Sequence, residues 1–316
     1  MSPTHPMRIS HTFPKTCFFP YDSHPMSYVD LHTHSTASDG TVPPELLPML
    51  AVEHGLSAIA LTDHDSTNGL QACAKACEST GIDFVPGIEI SADPGPRIDT
   101  DGVERRRGTL HILGLFVRHD DEELAKISER MREARNSRNP AMVEKLQELG
   151  VRITYDEVEK LAHEQGTQII GRPHIAQVLV SKSYAKSVSD AFTKYLKFGA
   201  PAFIRRDYLQ PAHAIEAIHH AGGLAILAHP VQLVMPNADE LEHAVKRLTD
   251  MGLDGIETRH SDHTPALVAQ YEKLAKQFNL LTSGGSDFHG ERKTVKLGSQ
   301  NVPREVYERL RDACKG

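Results

Sequence analysis

The chain has no tryptophan, few cysteines, no long apolar run and no excess of positive charge, and each absence closes off a class of protein. Four cysteines in 316 residues, Cys17, Cys73, Cys77 and Cys314, do not make a disulfide framework, and they fit a reducing cytoplasm. Cys73 and Cys77 stand on one face of an expected helix, where free cysteines serve as small core residues. No stretch reaches the ~18 apolar residues that cross a bilayer, and the N-terminus lacks the apolar segment of a signal peptide. Lys and Arg number 35 against 42 Asp and Glu, a net charge of -7. That balance excludes a broad nucleic-acid platform held by counterion release, so a polyanionic substrate has to be met by a local basic pocket. Neither a G-x-G-x-x-G nor a G-x-x-x-x-G-K-[ST] loop occurs, which removes the common nucleotide-cofactor cradles. Ser286 lacks the glycine on its far side that a nucleophile elbow needs, which argues against a serine hydrolase.

What is abundant is histidine, 19 residues of the commonest metal ligand. Apolar residues make up 39% of the chain and charged residues 24%, the composition of an ordinary globular protein, and the length allows two domains or one large barrel. Residues 1–27, with Pro3, Pro6, Pro14, Pro20 and Pro25, show no period and read as a flexible tail; Met26 is a candidate translation start. From residue 28, β-rich runs alternate with amphipathic helices. The runs are Tyr28 to His32, Ala58 to His64, Phe84 to Ser91, Leu110 to Val117, Leu224 to His229, Gly255 to His260 and Leu280 to Asp287. Such alternation predicts a parallel α/β sheet or barrel. Thr41, Pro43 and Pro44 open the first helix, which Pro48 is expected to kink. Between the fourth and fifth runs the alternation stops, and residues 119–221 read as helix after helix, with a capping box at Thr154 and Glu157. The expected organisation is a tail (1–27), an α/β unit made of 28–118 and 222–316, and a helical insertion (119–221) that covers the active site.

The histidines and carboxylates fall at the strand ends. His32 and His34 end the first run, with Asp39 in the loop after it; an H-x-H pair there turns both rings to one side. His64 ends the second, Glu89 lies near the end of the third, His111 is in the fourth, His229 ends the fifth and His260 the sixth, and Asp287 and His289 end the seventh. A single histidine at a strand end is more often a polar edge residue than a ligand, but the joint pattern is different. Burying so many ionisable groups together without a metal would cost several kcal/mol per unpaired charge. Imidazoles and carboxylates without thiolate suit Zn, Mn or Fe(II), and the donors exceed what one tetrahedral site needs. Two or three divalent ions sharing a bridging carboxylate satisfy them. His54, His119, His163, His213, His219, His220, His243 and His263 fall in helices or their flanks and are expected to be solvated.

The segments Asp30-Leu31-His32-Thr33-His34-Ser35, Leu61-Thr62-Asp63-His64-Asp65, Gly87-Ile88-Glu89-Ile90-Ser91, His111-Ile112-Leu113-Gly114, Ala228-His229-Pro230 and Gly285-Ser286-Asp287-Phe288-His289 resemble those of the PHP (polymerase and histidinol phosphatase) family of metal-dependent phosphoesterases. The resemblance covers the chain from about residue 28 to its end and implies a distorted seven-stranded (β/α)7 barrel, TIM-like, with up to three ions at the C-terminal face. It implies that His32, His34, Glu89 and Asp287 hold one ion, that Glu89 bridges to a second held by His111 and His229, and that Asp39, His64 and His289 hold a third.

Within the insertion, Gly171-Arg172-Pro173-His174-Ile175-Ala176 and Ala191-Phe192-Thr193-Lys194-Tyr195-Leu196 resemble the branch that dephosphorylates 3′,5′-nucleoside bisphosphates, some members of which also trim RNA from its 5′ end. Arg172 and His174 at a helix start form a phosphate clamp in this reading, or a helix cap in the plainer one. Arg135 is a second candidate for a substrate phosphate or part of a solvated helix face, and Arg105-Arg106-Arg107 reads as a solvated turn. The implied reaction is hydrolysis of a phosphomonoester, with Glu89 at the catalytic centre and either His260 or water donating a proton to the leaving oxygen. A histidinol-phosphate phosphatase, a general phosphodiesterase and a noncatalytic metal-binding module are the alternatives. The partners expected are a small phosphorylated substrate or short RNA, with no membrane and no stable protein partner, in the cytoplasm.

Overall fold

A computed structural model describes residues 28–95, 97–98, 104–105, 108–166, 170–205 and 208–315. The expected tail, with Met26 and Cys17, lies outside the described residues, as do the side chains of the Arg105 to Arg107 turn. The seven expected runs form strands: β1 (Tyr28–Asp30), β2 (Leu56–Leu61), β3 (Asp83–Ala92), β4 (Leu110–Leu115), β5 (Leu224–Leu227), β6 (Gly255–Arg259) and β7 (Leu281–Gly284). An eighth short strand, β8 (Val302–Pro303), pairs antiparallel with β1. The sheet order is β8-β1-β2-β3-β4-β5-β6-β7. It curls until β7 meets β1: Leu31 N–H donates to Gly284 O (3.1 Å), Asp287 N–H donates to His32 O (2.9 Å), and Thr33 bridges Phe288 in parallel. The result is a nearly closed α/β barrel.

The expectation of an all-parallel sheet needs one correction. β4 runs antiparallel to both β3 and β5, while β1, β2 and β3 are mutually parallel, as are β5, β6 and β7. The physical reason is the connection between β3 and β4, which holds no crossover helix among its described residues, and a parallel return would need one. The reversal matters for His111, because the start of an antiparallel β4 lies at the same barrel end as the finish of its neighbours.

Period-two alternation sorts the strand residues into two layers. Val29, Ala58, Ala60, Val85, Leu113, Leu115, Leu224, Ile226 and Ala228 form one buried cluster, joined by Val306, Tyr307 and Leu310 of α10 (Arg304–Cys314). The alternate residues Ile59, Leu61, Ile88, Ile90, Ile112, Ala225, Leu227 and Ile256 pack in another with the surrounding helices. These include α1 (Leu47–Glu53), α2 (Leu70–Thr80) with Cys73 and Cys77 buried, α7 (Pro211–His220), α8 (Ala238–Asp250) and α9 (Pro265–Gln277). Pro48 does not kink the first helix. A 3-10 turn at Pro44–Leu46 precedes α1, so Pro48 falls in the first α-helical turn, where its missing N–H removes no bond.

The helical segment is built on α3 (Glu122–Glu148). Leu124, Ile127 and Met131 in its first half pack with the barrel's outer layer, whereas Met142, Val143 and Leu146 in its second half belong to a separate apolar cluster. That cluster contains Val158 of α4 (Tyr155–Glu164), Ile175 and Leu179 of α5 (Arg172–Ser181), Ala191 of α6 (Val188–Ala191) and Leu196 in the π-helical turn that follows. The capping box forms: Glu157 N–H donates to Thr154 Oγ1 (3.3 Å) and Thr154 N–H to Glu157 Oε2 (2.9 Å). No described helix is long and apolar enough to cross a membrane.

The seam between β7 and β1 is tight at Gly285. A Cβ there would overlap His32 Cβ and N and come within 2.8 Å of His32 Cα. Gly285→Ala is therefore expected to destabilise the protein by about 3 kcal/mol, an overpacking cost that backbone cannot relax. Chemical denaturation checks this, and a variant as stable as the wild type would show that the seam yields.

Candidate active site

At the end of the barrel where most strands finish, one carboxylate organises the site. Val85, Gly87 and Glu89 follow one another at period two along β3, so Glu89 points the same way as Val85 from higher in the barrel. It is fully buried. Its Oε1 lies 2.7 Å from His111 Nδ1 and 2.9 Å from His229 Nε2; its Oε2 lies 2.8 Å from His64 Nδ1, 3.2 Å from His34 Nε2 and 3.5 Å from His32 Nε2. Asp287 Oδ1 meets His34 Nε2 and His289 Nδ1 at 3.3 Å and His32 Nε2 at 3.6 Å. Asp39 Oδ1 is 3.2 Å from His289 Nε2 and 4.0 Å from His64 Nε2.

Burial alone would raise the Glu89 carboxyl, but the imidazoles of His64, His111 and His32 hold it well below the usual range. Burial opposes charge on His32 as well, yet Glu257, Glu89 and Asp287 raise it well above the ordinary histidine value. At His111 burial wins, and the ring falls to about 4. Asp39 and Asp287, despite burial, are also held well below the usual carboxylate range, chiefly by His289.

Eight of the nine expected donors fall in four overlapping groups able to hold ions: His34, Asp39, His64 and His289; His32, His34 and Glu89; His64, Glu89 and His111; and His32 and Asp287 with His260, which was not among the expected donors. The ninth, His229, joins them through Glu89 Oε1. A divalent cluster fits them. His32 Nε2, both nitrogens of His34, Asp39 Oδ1, His64 Nδ1, Glu89 Oε2 and His229 Nδ1 are buried without a hydrogen-bond partner. Unpartnered polar atoms crowded at one centre are what a bound cation relieves. The histidine-rich donor set without thiolate suits Zn, Mn or Fe(II).

Several residues hold the donors in place. Glu257 is fully buried; its Oε1 lies 3.1 Å from His32 Nδ1, and its Oε2 accepts from His229 N–H (2.8 Å). The contact places the His32 proton on Nδ1 and turns the Nε2 lone pair to the other donors. Asp63 accepts from Ser35 N–H (2.8 Å) and Ser35 Oγ (2.6 Å), fixing the loop that carries Asp39. His229, Asp287 and Asp65 occupy the strained region at φ 25, 57 and 49. Each is pinned: His229 N–H by Glu257, Asp287 N–H by His32 O, and Asp65 N–H by Glu89 O (2.9 Å).

The residues expected to meet substrate divide. A cavity of about 230 Å³ is lined by Asp39, His64 and His111 of the donor cluster and by Arg135, Arg138 and Arg172 of the helical segment. Arg135 Nη2 pairs with Asp65, Arg172 lies 5.6 Å over the Phe192 ring, and Arg138 Nη2 donates to Asn139 Oδ1 (2.8 Å). His174 is fully buried; its Nδ1 is 2.9 Å from Gly171 N, and its Nε2 is 2.8 Å from Arg292 Nη2. His260 is buried beside Asp287: its Nδ1 accepts from Asp262 N–H (3.0 Å), which leaves the proton on Nε2, 3.2 Å from Asp287 Oδ2. Lys293 Nζ contacts that same oxygen. His263 departs from the expected solvation, being half-buried with Nδ1 2.9 Å from Thr258 O and its ring against His260 and Tyr271.

Sequence reasoning missed Glu257, Arg138, Arg292 and Lys293. A carboxylate in a buried β-run was the available signal for Glu257, and Arg138 lies one helical turn beyond Arg135. Nothing local distinguishes Arg292 or Lys293 from an ordinary charged loop.

The Glu257 contacts make a test. Glu257→Gln keeps the shape but loses the charge that orients His32, and metal affinity is expected to fall about 10- to 100-fold with circular dichroism unchanged. Competition with a chromophoric chelator measures it; unchanged affinity would remove Glu257 from the support of the site.

The comparisons with known proteins agree with this geometry. The PHP domain matches residues 30–312. The chain is 31% identical over 271 residues to the 5′-3′ exoribonuclease Rnm of Escherichia coli, covering 85% of this chain and 87% of that one. It is 31% identical over 264 residues to the 3′,5′-nucleoside bisphosphate phosphatase of Chromobacterium violaceum (84% and 88%). It is 33% identical over 263 residues to the phosphoribosyl 1,2-cyclic phosphate 1,2-diphosphodiesterase of Eggerthella lenta (83% and 94%). Among solved structures, a protein from Bifidobacterium adolescentis assigned as a metal-dependent phosphoesterase superposes with a TM-score of 0.75 at 29% identity, over 91% of this chain and 96% of that one. Because the family match runs from the first strand into the last helix, the chain belongs to the PHP family and is a metal-dependent hydrolase of phosphoric esters.

Proposed function

We propose that the protein removes the 3′-phosphate from 3′,5′-nucleoside bisphosphates. The observation that carries this reading is one cavity lined by two unlike sets of groups. Asp39, His64 and His111 belong to the donor cluster, and Arg135, Arg138 and Arg172 to the helical segment. A substrate with one phosphate needs only the first set; the arginines, two on α3 and one at the N-terminus of α5, support a second anion at the far end of the same molecule. The similarity to the Chromobacterium violaceum phosphatase points the same way.

In this reading His32, His34, Glu89 and Asp287 hold one ion, Glu89 with His111 and His229 a second, and Asp39, His64 and His289 a third, of the Mn, Zn or Fe type. When bound, such ions activate water and neutralise the non-bridging phosphate oxygens as charge moves to the leaving group. The chain's own residues position. Arg172 and Arg135, with Arg138 beside them, grip the 5′-phosphate, and that remote binding energy fixes the scissile group. His174 braces the start of α5 through Gly171. His260, with Nδ1 on Asp262 N–H and Nε2 beside Asp287 Oδ2, serves in this reading to position Asp287. The helical insertion, 119–221, supplies the arginine set and covers the site. A cytoplasmic location fits the free, buried thiols of Cys73 and Cys77.

Short RNA is a second substrate class. A 5′-terminal nucleotide presents a 5′-phosphate and a 3′-phosphoester at the same separation, and the similarity to the Escherichia coli exoribonuclease favours it. A histidinol-phosphate phosphatase leaves the arginine set without a role, and a noncatalytic module leaves the complete donor set without one.

A phosphate-release panel over 3′,5′-bisphosphonucleotides, short 5′-phosphorylated RNA, histidinol phosphate, a cyclic phosphodiester and an aryl phosphate tests the reading. The bisphosphonucleotide is expected to lead in kcat/KM; preference for histidinol phosphate would overturn the assignment. Arg172→Ala should lower kcat/KM for the bisphosphonucleotide on the order of 10- to 100-fold, the worth of a charge-assisted hydrogen bond, and spare the aryl phosphate. Equal losses on both would remove Arg172 from the clamp. Glu89→Gln is expected to abolish turnover on every substrate while the protein stays folded, and near-normal activity would refute the shared-carboxylate centre.

A further inference from the structure

One cluster beyond the donors, around the buried His174 and the half-buried Arg292, has more N–H groups than acceptors among the described residues. Arg292 lies three residues past His289, in a loop fastened to the Asp39 side of the site: Thr41 N–H donates to His289 O (3.2 Å), and Glu291 N–H donates to Thr41 Oγ1 (2.9 Å). From that loop the guanidinium reaches the helical insertion, where Nη2 meets Gln165 Oε1 at 2.7 Å and His174 Nε2 at 2.8 Å. Its Nε and Nη1 are buried and have no hydrogen-bond partner among the described residues. Asp39, whose charge acts on Arg292, turns its Oδ1 to His289 instead.

His174 sharpens the shortage. Its Nδ1 faces the Gly171 backbone N–H at 2.9 Å and its Nε2 faces Arg292. A neutral imidazole has one lone pair, so in either tautomer one of these contacts sets N–H against N–H. Burial and the neighbouring guanidinium hold the ring down to about 4, which keeps it neutral near pH 7. A fixed cation, a surplus ring or backbone N–H and the start of α5 therefore converge where protein acceptors run out. Buried donors in surplus are costly, and an oxyanion is the ligand that satisfies several at once.

We propose that Arg292, with the His174 edge beside it, is a further substrate-binding residue that holds an oxygen of the phosphate being hydrolysed. The inference rests on the phosphoesterase reading above and assigns the second charge: Arg135, Arg138 and Arg172 serve the phosphate that stays on the nucleotide, and Arg292, tied to the His289 loop, serves the one that leaves.

The test compares the metal-loaded wild type with Arg292→Gln in calorimetric titrations with inorganic phosphate and, separately, 5′-AMP, and in thermal melts with neither. Phosphate affinity is expected to weaken about tenfold or more, and 5′-AMP affinity to change by less than about threefold. The melting temperature without ligand should stay level or rise, because an under-satisfied, half-buried cation has gone. Unchanged phosphate affinity with a lowered melting temperature overturns the proposal and makes Arg292 a strut between the loop and α5. Loss of 5′-AMP affinity with phosphate affinity intact also overturns it, since Arg292 would then serve the retained phosphate. If the glutamine variant does not fold, Arg292→Lys reads the same two affinities. Both contrary outcomes are compatible with continued phosphate release from bisphosphonucleotides, whereas failure of the functional reading would appear as absence of that release in the wild type.

Discussion

Glu89 is a carboxylate removed from water with five imidazoles turned toward it. An isolated charge in that position would cost several kcal/mol, and neither hydrogen bonding nor the partial charge of the rings closes the account while so many lone pairs face inward. Cations at the centre reverse the sign of the problem. The donors then attract a common core, and the energy that would have opposed folding holds five strands together at their ends. The strained backbone at His229 and Asp287 follows from the same constraint, since each residue leaves its strand at an angle that regular β-structure does not permit.

The antiparallel β4 solves a related problem of delivery. A parallel fourth strand would bring its last residue, near Leu115, to the site, and would send His111 to the opposite end of the barrel. Reversal lets one strand present His111 at the top while Leu113 and Leu115 fill the interior below, in phase with the apolar residues of β3 and β5. The same reversal lets β4 follow β3 through a connection with no crossover helix among its described residues, and the long excursion that returns the chain to β5 becomes the helical segment.

Most of this was readable from the sequence, for a definite reason. Strand-end histidines and the Glu89 phase are local properties: period-two alternation and a turn residue determine them whatever the rest of the chain does. The direction of β4 was also written there, in a connection between β3 and β4 that carries a charged turn in place of an amphipathic helix, but the run of alternating elements suggested a parallel strand. What could not be read is the set of partners that meet only in three dimensions. Glu257 lies 225 residues from His32, and Arg292 lies 118 from His174; no spacing rule connects either pair. Pro48 shows the opposite failure: a correct local rule, applied to a helix start placed one turn too early, turned an N-terminal proline into a kink.

The two sets of groups in the cavity are not independent, and Asp65 is the reason. Its backbone N–H bonds Glu89 O, its carboxylate accepts from Ser91 N–H (2.7 Å) and Ser91 Oγ (3.0 Å), and it pairs with Arg135 Nη2. One buried residue thus ties the strand that carries the central carboxylate to the helix that carries Arg135 and Arg138. The helix itself is anchored twice, by Leu124, Ile127 and Met131 on the barrel and by Met142, Val143 and Leu146 in the helical cluster. With α3 so fixed and Arg135 tied to Asp65, the distance from the donor cluster to those arginines is set by covalent geometry and packing, with little left to side-chain freedom. On the proposed reading, such a site would measure the separation of two anionic groups on its substrate. That physical property is what distinguishes a bisphosphonucleotide from a simple phosphate ester.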